Sequence, residues 1–514
     1  MNTELVADSI PLIKLALSDE QCREARLSRD VRYDGLFFIA VKTTGIYCRS
    51  ICPARAPLEK NVEYFQSAVI AANAGYRPCL RCRPDSAPGS PAWQGKNTTL
   101  HRAIHLIDDG ALQQQSLAEL AERLGISDRY LRMLFQQELG LSPIAYSHYQ
   151  QCLFAKKLLH DTQLNITSIA LASGFNSVRR FNDCFKKLFS LTPTQVRKNA
   201  IENKHAQAED IVITLSYRPP YNWRYLQQFY AARIIEGLEW CDENSYGRTF
   251  SYDSVDGFHS VQGTGERISH SDTPFDCIGE FTAFHIPEES VFSVRIQLSD
   301  LRYLNRVIRN IRRCLDLDAD IEHIESRLKR ALNTEVLAIS GLRLPGVWSP
   351  FEAGIRAILG QQVSVQAARN LVTKVVGNNP INTDERCYFP LPQQLIGDEF
   401  SYLKMPGKRK ETIRLFADYA CDKPLDDSKA LLAIAGIGPW TVHYLRMRGL
   451  SDPNIFLIGD LGIKKALVKM NEAFSPDAAA PWRSYLTLYL WSADLDSATV
   501  PIVNNSVITE NSHV

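Results

Sequence analysis

Two tight pairs of cysteines, Cys48 with Cys52 and Cys79 with Cys82, constrain the amino-terminal part of this chain more than any other feature. The spacings Cys-x-x-x-Cys and Cys-x-x-Cys are those of a four-thiolate tetrahedral zinc site. Such a site is a structural knuckle unless one of its sulfurs is exposed and reactive. Four thiolates on one zinc carry a net charge of −2, so an exposed ligand sulfur keeps thiolate character at neutral pH. The chain has 12 cysteines, and the other eight are scattered. Scattered cysteines of this kind behave as small buried hydrophobes and imply no disulfide framework.

Around the pairs the chain reads as a small α+β unit. Leu36–Val41 is a run of aromatic and β-branched residues with strand character, and Ser67–Gly75 is helical. The segments TTGIYCR, PAR and AGYRPCLRCRP resemble the amino-terminal domain of the Ada alkylation-response family. That resemblance implies that Cys48 is both zinc ligand and methyl acceptor, with Cys52, Cys79 and Cys82 as spectator ligands. It implies that Thr44, Arg55 and Arg77 contact the phosphate, and that the transferred methyl comes from a DNA methylphosphotriester in a single, suicidal turnover. Methylation would replace an anionic thiolate by a neutral thioether and remove repulsion toward the DNA backbone. No Pro-Cys-His-Arg motif of alkylguanine methyltransferases occurs, so that second Ada activity is not expected.

Pro84–Pro91 is a linker by composition. Beyond it a unit is used twice. LAELA, GIS and GLSP, from Leu117 to Pro143, are echoed by ITSIA, GFN and SLTP, from Ile166 to Pro193. The turn glycines Gly125 and Gly174 lie 49 residues apart and the two prolines 50. Each unit reads as helix, glycine turn and capped second helix, the helix-turn-helix pattern. The pair resembles an AraC-type DNA-binding domain, which places Arg129, Arg132, Arg179 and Arg180 on recognition helices. Arginine forks read guanine edges in the major groove, whereas Lys186 and Lys187 suit phosphate or solvent.

The net charge of +1 hides opposed regions. Between Thr98 and Lys198 there are 12 Lys/Arg against 8 Asp/Glu; between Ile211 and Asp300 there are 6 against 13. Nucleic-acid contact is therefore to be sought locally. After a polar linker from Arg197 to Asp210, strands near Ile211–Leu215, Gly247–Tyr252 and Ser290–Leu298 surround a helix near Trp223–Glu236. This acidic region resembles the small antiparallel subdomain that opens AlkA-type enzymes, and its charge argues against a main DNA surface.

From Leu301 the chain reads as helical. LLAIAGIGPWT, Leu431 to Thr441, reads as an apolar helix, a glycine hairpin and a second helix start, with both glycines, Gly436 and Gly438, expected to permit positive φ. Asp460 follows the apolar run Ile455–Ile458 and Gly459. The hairpin and the carboxylate resemble those of the helix-hairpin-helix DNA glycosylase superfamily, and GPWT points to its AlkA (3-methyladenine DNA glycosylase II) type. The resemblance implies that Asp460 stabilises positive charge on the sugar as the N-glycosidic bond breaks. Gly436, Gly438 and Thr441 would hold the DNA backbone, and such hairpins often carry a monovalent cation on their carbonyls.

In SPFEAGIRAILGQQVS, Gln362 stands where the family inserts a residue into the gap left by the flipped base. Trp440 stands where lyase members carry the Schiff-base lysine, so a monofunctional enzyme is expected. Trp440, Tyr444 and Trp491 match the aromatic base pocket, whose ring faces suit cationic alkylated purines. Ile458-Gly459 replace the usual proline-containing approach to the aspartate, and no cysteine follows Cys421, so no iron–sulfur cluster is expected.

At 514 residues the chain has room for several cores. It reads as multidomain and mainly α with α+β parts. The parts are a zinc-bound α+β domain over 17–86, an all-α tandem helix-turn-helix domain over 97–198, a small antiparallel β-sheet subdomain over 211–299, and a helical helix-hairpin-helix glycosylase domain over 300–500. The implied function is DNA alkylation repair and response, acting on alkylated and promoter double-stranded DNA, with RNA polymerase as a partner in activation. The alternative is a transcriptional regulator whose glycosylase half binds damaged DNA without catalysis. Neither a signal-peptide pattern nor a long apolar span is present, so a cytoplasmic location without membrane contact is expected.

Overall fold

Strand alternation builds the amino-terminal module. The computed structural model describes residues 17–66, 68–79, 82, 84, 98–108, 110–198, 211–252, 275–383, 385–469 and 475–495. Most of the first linker and all of residues 199–210 lie outside these. Strands β1 (Phe38–Val41), β2 (Ile46–Arg49), β3 (Val62–Phe65) and β4 (Arg77–Pro78) form one sheet in the order β3-β1-β2-β4. Successive side chains point to opposite faces. Phe37 and Ile39 therefore pack with Cys22 and Ala25 on one side, while Phe38, Ala40 and Tyr47 pack with Ala71 on the other. The helix expected over Ser67–Gly75 spans Ala68–Asn73.

The repeat folds as repeated chemistry. Ser116 and Asn165 cap the first helix of each unit, Leu117–Arg123 and Ile166–Ala172; Ser127 and Ser177 cap the recognition helices, Asp128–Leu139 and Val178–Phe189. Gly125 and Gly174 take φ of 71° and 79° in the turns. The connecting helix Pro143–Asp161 is buried round most of its circumference, so it serves as the spine of both units.

The third region is a five-stranded antiparallel sheet. Its strands β5 (Ile211–Ser216), β6 (Glu239–Cys241), β7 (Ser245–Tyr252), β8 (Cys277–Ile286) and β9 (Val291–Leu298) run in the order β5-β9-β8-β7-β6. The helix beside it spans Trp223–Ala231. β6 and β8 went unanticipated: β6 has three residues, and β8 is interrupted by Gly279, Glu280 and His285. The helical region carries two cores. One gathers Ile321, Ile324, Trp482, Leu486 and Leu490; the other gathers Ile355, Val372, Ile413, Ile437 and Val442. The chain is thus multidomain and mainly α, with two small sheets. Among the described residues no helix is long and apolar enough to cross a membrane.

Buried charges join the second sheet to the helices. Arg248 of β7 donates to Glu352 at 2.8 Å, and Arg356 donates to Glu352 and to Glu239 of β6, each at 2.9 Å. Burial pushes the Glu352 carboxyl up, but Arg248 and Arg356 more than reverse this and hold it low. Removing one member of such a cluster strands the others. Glu352→Ala is expected to cost about 3–5 kcal/mol of stability, read as a lower urea midpoint with the methyl-acceptor chemistry retained under native conditions.

The modules also touch one another. The Tyr47 and Tyr149 hydroxyls share a 2.7 Å hydrogen bond, and Lys156 Nζ donates to the Cys79 carbonyl at 3.2 Å. Arg218 donates to the Asp34 carbonyl at 3.0 Å, and Lys157 to the Thr214 carbonyl at 3.0 Å.

Candidate active site and metal centre

The hairpin is shaped by one glycine. Asp427 caps the helix Ser428–Leu432, and Gly436 then turns the chain with φ of 87°. A Cβ there would lie 2.0 Å from Thr412 Oγ1, which itself donates to the Ala435 carbonyl at 3.0 Å. Only glycine meets both demands. Gly436→Ala is expected to weaken binding of undamaged duplex DNA about tenfold, measured by titration at fixed salt, through strain of about 1–3 kcal/mol at the hairpin. Gly438 departs from the expectation. Its φ is −100° and ψ 175°, extended backbone that caps the helix Pro439–Gly449. It needs no positive φ because the turn is complete at Gly436. Its surroundings are open, so the first amides of that helix lie beside unfilled space.

Gln361, which the sequence reading passed over, ties the GQQVS tip to this hairpin. Its Nε2 donates to the Gly436 carbonyl and to Thr441 Oγ1, both at 3.0 Å. Thr441 is itself buried, so it supports the hairpin from beneath. The Ala435 and Gly436 carbonyls of the hairpin thus accept from the Thr412 and Gln361 side chains. Gln362 is exposed and holds φ of 57°, which pushes the tip outward.

Asp460 begins the helix Leu461–Lys469, and its Oδ1 accepts from the amides of Gly462 at 2.9 Å and Ile463 at 3.3 Å. It also receives two indole N–H groups: Trp491 Nε1 to Oδ1 at 2.9 Å and Trp440 Nε1 to Oδ2 at 3.1 Å. Two backbone amides, two indoles and a helix N-terminus therefore fix both oxygens of a half-buried carboxylate. The tryptophans expected as stacking walls are thus also the holders of the carboxylate. Exposed Ile458 and Leu461 flank it.

The rings form two near-parallel pairs. Trp440 and Tyr444 lie 5.3 Å apart at 28°, and Phe229 and Trp491 6.3 Å apart at 23°. Phe229, on the helix Trp223–Ala231, completes a set of which only three members were picked out in the sequence. Nothing local marks it, because it arrives from the sheet subdomain. Two guanidiniums sit on its ring: Arg233 with Cζ 3.7 Å from the centroid and Arg448 at 4.7 Å. Burial pushes Arg233 down to about 10, so it remains a cation at neutral pH.

The four cysteines converge as their spacing predicts. β2 pairs in parallel with β4, which sets Cys48 beside Cys79, and the Cys79 amide donates to the Tyr47 carbonyl at 2.9 Å. All four sulfurs lie within 4.8 Å of one another, the only group among the described residues that could hold a metal. This donor set fits one tetrahedral zinc. Cys48 and Cys52 are half-exposed, Cys79 and Cys82 buried.

A buried ion pair backs the cluster. The Arg49 amide donates to Cys82 Sγ at 3.3 Å, and its guanidinium reaches the Cys82 carbonyl at 3.2 Å while paired with buried Asp34. Thr44, Arg55 and Arg77 are all exposed on this module. Arg129, Arg132, Arg179 and Arg180 are exposed on the two recognition helices, as expected, with Arg132 within 3.7 Å of Asp128 and Arg180 3.2 Å from His148.

Comparison with known proteins adds to this geometry. Three family models match: "Metal binding domain of Ada" over residues 21–85, "Helix-turn-helix domain" over 120–199 and "AlkA N-terminal domain" over 212–349. The "probable bifunctional transcriptional activator/DNA repair enzyme AlkA" of Mycobacterium tuberculosis is 33% identical over 499 residues, 92% of this chain and 96% of that protein. The "DNA-3-methyladenine glycosylase 2" of Escherichia coli is 30% identical over 54% of this chain and 96% of its own length. The "bifunctional transcriptional activator/DNA repair enzyme Ada" of the same organism is 32% identical over 35% of this chain and 49% of its own.

Proposed function

We propose, for a chain that belongs to the family of bifunctional AlkA/Ada transcriptional activators and DNA repair enzymes, two separate chemistries on alkylated DNA. The first is release of alkylated purines by hydrolysis of the N-glycosidic bond. The observation that carries this reading is Asp460, aimed by two indoles and a helix N-terminus beside an aromatic cleft. A base within the duplex is out of reach, so the nucleotide is extruded, at about a few kcal/mol that damage lowers. Gly436 and Gly438 hold the backbone, and Gln362 enters the vacated stack. As the bond breaks, positive charge grows on the sugar and Asp460 stabilises it. The base leaves with the bonding electrons, and water supplies the hydroxyl of the abasic sugar. With Trp440 where a lyase lysine would stand, no Schiff base forms and the strand stays whole.

The second chemistry is methyl transfer. Cys48, Cys52, Cys79 and Cys82 would hold zinc, which when bound keeps their sulfurs as thiolates. The half-exposed Cys48 sulfur attacks the methyl carbon of a methylphosphotriester. The carbon–oxygen bond breaks, its electrons stay on the phosphate oxygen, and Cys48 becomes a thioether. Thr44, Arg55 and Arg77 orient the phosphate. The helix-turn-helix pair, through Arg129, Arg132, Arg179 and Arg180, reads promoter DNA and recruits RNA polymerase in the cytoplasm.

The test is incubation of the full chain with methylated duplex DNA, scoring free 3-methyladenine and strand cleavage. Free base with strands intact until alkali is the expected result. No free base would leave only a damage-binding regulator, and cleavage without alkali would overturn the monofunctional reading.

A further inference from the structure

The two ring pairs are tied together at both ends, by opposite charges. At one end Asp460 accepts from the tryptophan of each pair. At the other, Arg448 engages the remaining member of each: Nη1 donates to the Tyr444 hydroxyl at 2.8 Å, and Cζ lies 4.7 Å from the Phe229 ring centroid. Arg448 is 4% exposed and anchored to the Pro345 carbonyl, so its charge acts with little solvent screening. A guanidinium only donates. The Tyr444 oxygen must therefore be the acceptor of this bond. No other bond of that hydroxyl is found among the described residues, so its proton is left to donate elsewhere.

We propose that Arg448, acting through the Tyr444 hydroxyl and Phe229, sets the ratio in which neutral and cationic purines are released. The proposal rests on the glycosylase reading above. With the sugar at Asp460, the far edge of the base faces Tyr444. When the C1′–N9 bond breaks, its electron pair goes to the base. A purine that was cationic leaves neutral, and one that was neutral leaves as an anion. Only the anion gains from a donor and a cation at its far edge, whereas the same cation opposes entry of a positively charged base. Water adds its oxygen to C1′; the proton it loses goes to the base when that base left as an anion, and to solvent when it left neutral. Arg448 is a positioning residue in this scheme, and Tyr444 supplies the contact.

The test uses the full chain on two duplexes, one carrying a single hypoxanthine and one a single 7-methylguanine, in single turnover. Tyr444→Phe keeps the ring and removes the donor. It should slow hypoxanthine release more than 7-methylguanine release, lowering the hypoxanthine-to-7-methylguanine rate ratio at least tenfold. Arg448→Met should lower the same ratio. A partly misfolded preparation lowers both rates alike, so the ratio still decides. A ratio unchanged in either variant, or wild type releasing 7-methylguanine but no hypoxanthine, overturns the proposal. Failure of wild type on both duplexes overturns instead the glycosylase reading beneath it.

Discussion

Asp460→Asn is expected to lower the rate of 3-methyladenine release from methylated DNA about 10²–10³-fold, a loss of about 3–4 kcal/mol of transition-state stabilisation. Two effects combine. The charge that opposes the positive sugar disappears. The amide also presents an N–H to one of the two indoles that donate to the carboxylate in the native site, from Trp440 at 3.1 Å or Trp491 at 2.9 Å. Asparagine therefore cannot take the same pose without breaking a donor–acceptor pair. Binding of undamaged duplex, which we assign to the hairpin, should change little, and measuring both quantities on one preparation separates chemistry from folding. Equal release by the variant and the wild type would remove Asp460 from the mechanism.

Cys48→Ala is expected to abolish methyl transfer altogether. Wild-type chain should take up about one labelled methyl per molecule from methylphosphotriester DNA, and the variant none. Cys79→Ala should also fail, for a different reason. Cys79 is buried at the end of β4, and its loss removes a ligand from the module's core, so bound zinc should fall with activity. In Cys48→Ala the three remaining sulfurs should retain metal more tightly than the Cys79 variant does. Zinc content by absorption spectroscopy beside methyl counting distinguishes acceptor from scaffold. Uptake of methyl by the Cys48 variant would assign the nucleophile elsewhere, first to half-exposed Cys52.

Legibility in the sequence followed the range of the interactions. Caps, turns and metal spacing are local, and Ser127, Ser177, Gly125, Gly174 and the cysteine pairs lie where local rules put them. Gly438 did not conform because the turn is finished one residue pair earlier, at Gly436. Gln361 could not be told from its neighbour Gln362, since only the fold decides which one turns back to the hairpin. Phe229 and Arg448 carry no signature at all. One comes from a helix more than 200 residues before the hairpin, and the other is a buried charge on a helix with no apolar stripe to read.

The cross-module bonds bear on how this protein can be dissected. Its proline-rich and polar linkers invite cutting it into beads, yet Tyr47 meets Tyr149, and Lys156 holds the carbonyl of the ligand Cys79. A fragment ending near residue 84 gives up both bonds and the Arg218 clasp on Asp34. Its metal affinity and methyl-transfer rate would then describe a loosened version of the module, whose ligand loop has lost its outer brace. Numbers gathered on fragments will accordingly not add up to the intact molecule, and the shortfall measures what the neighbours contribute.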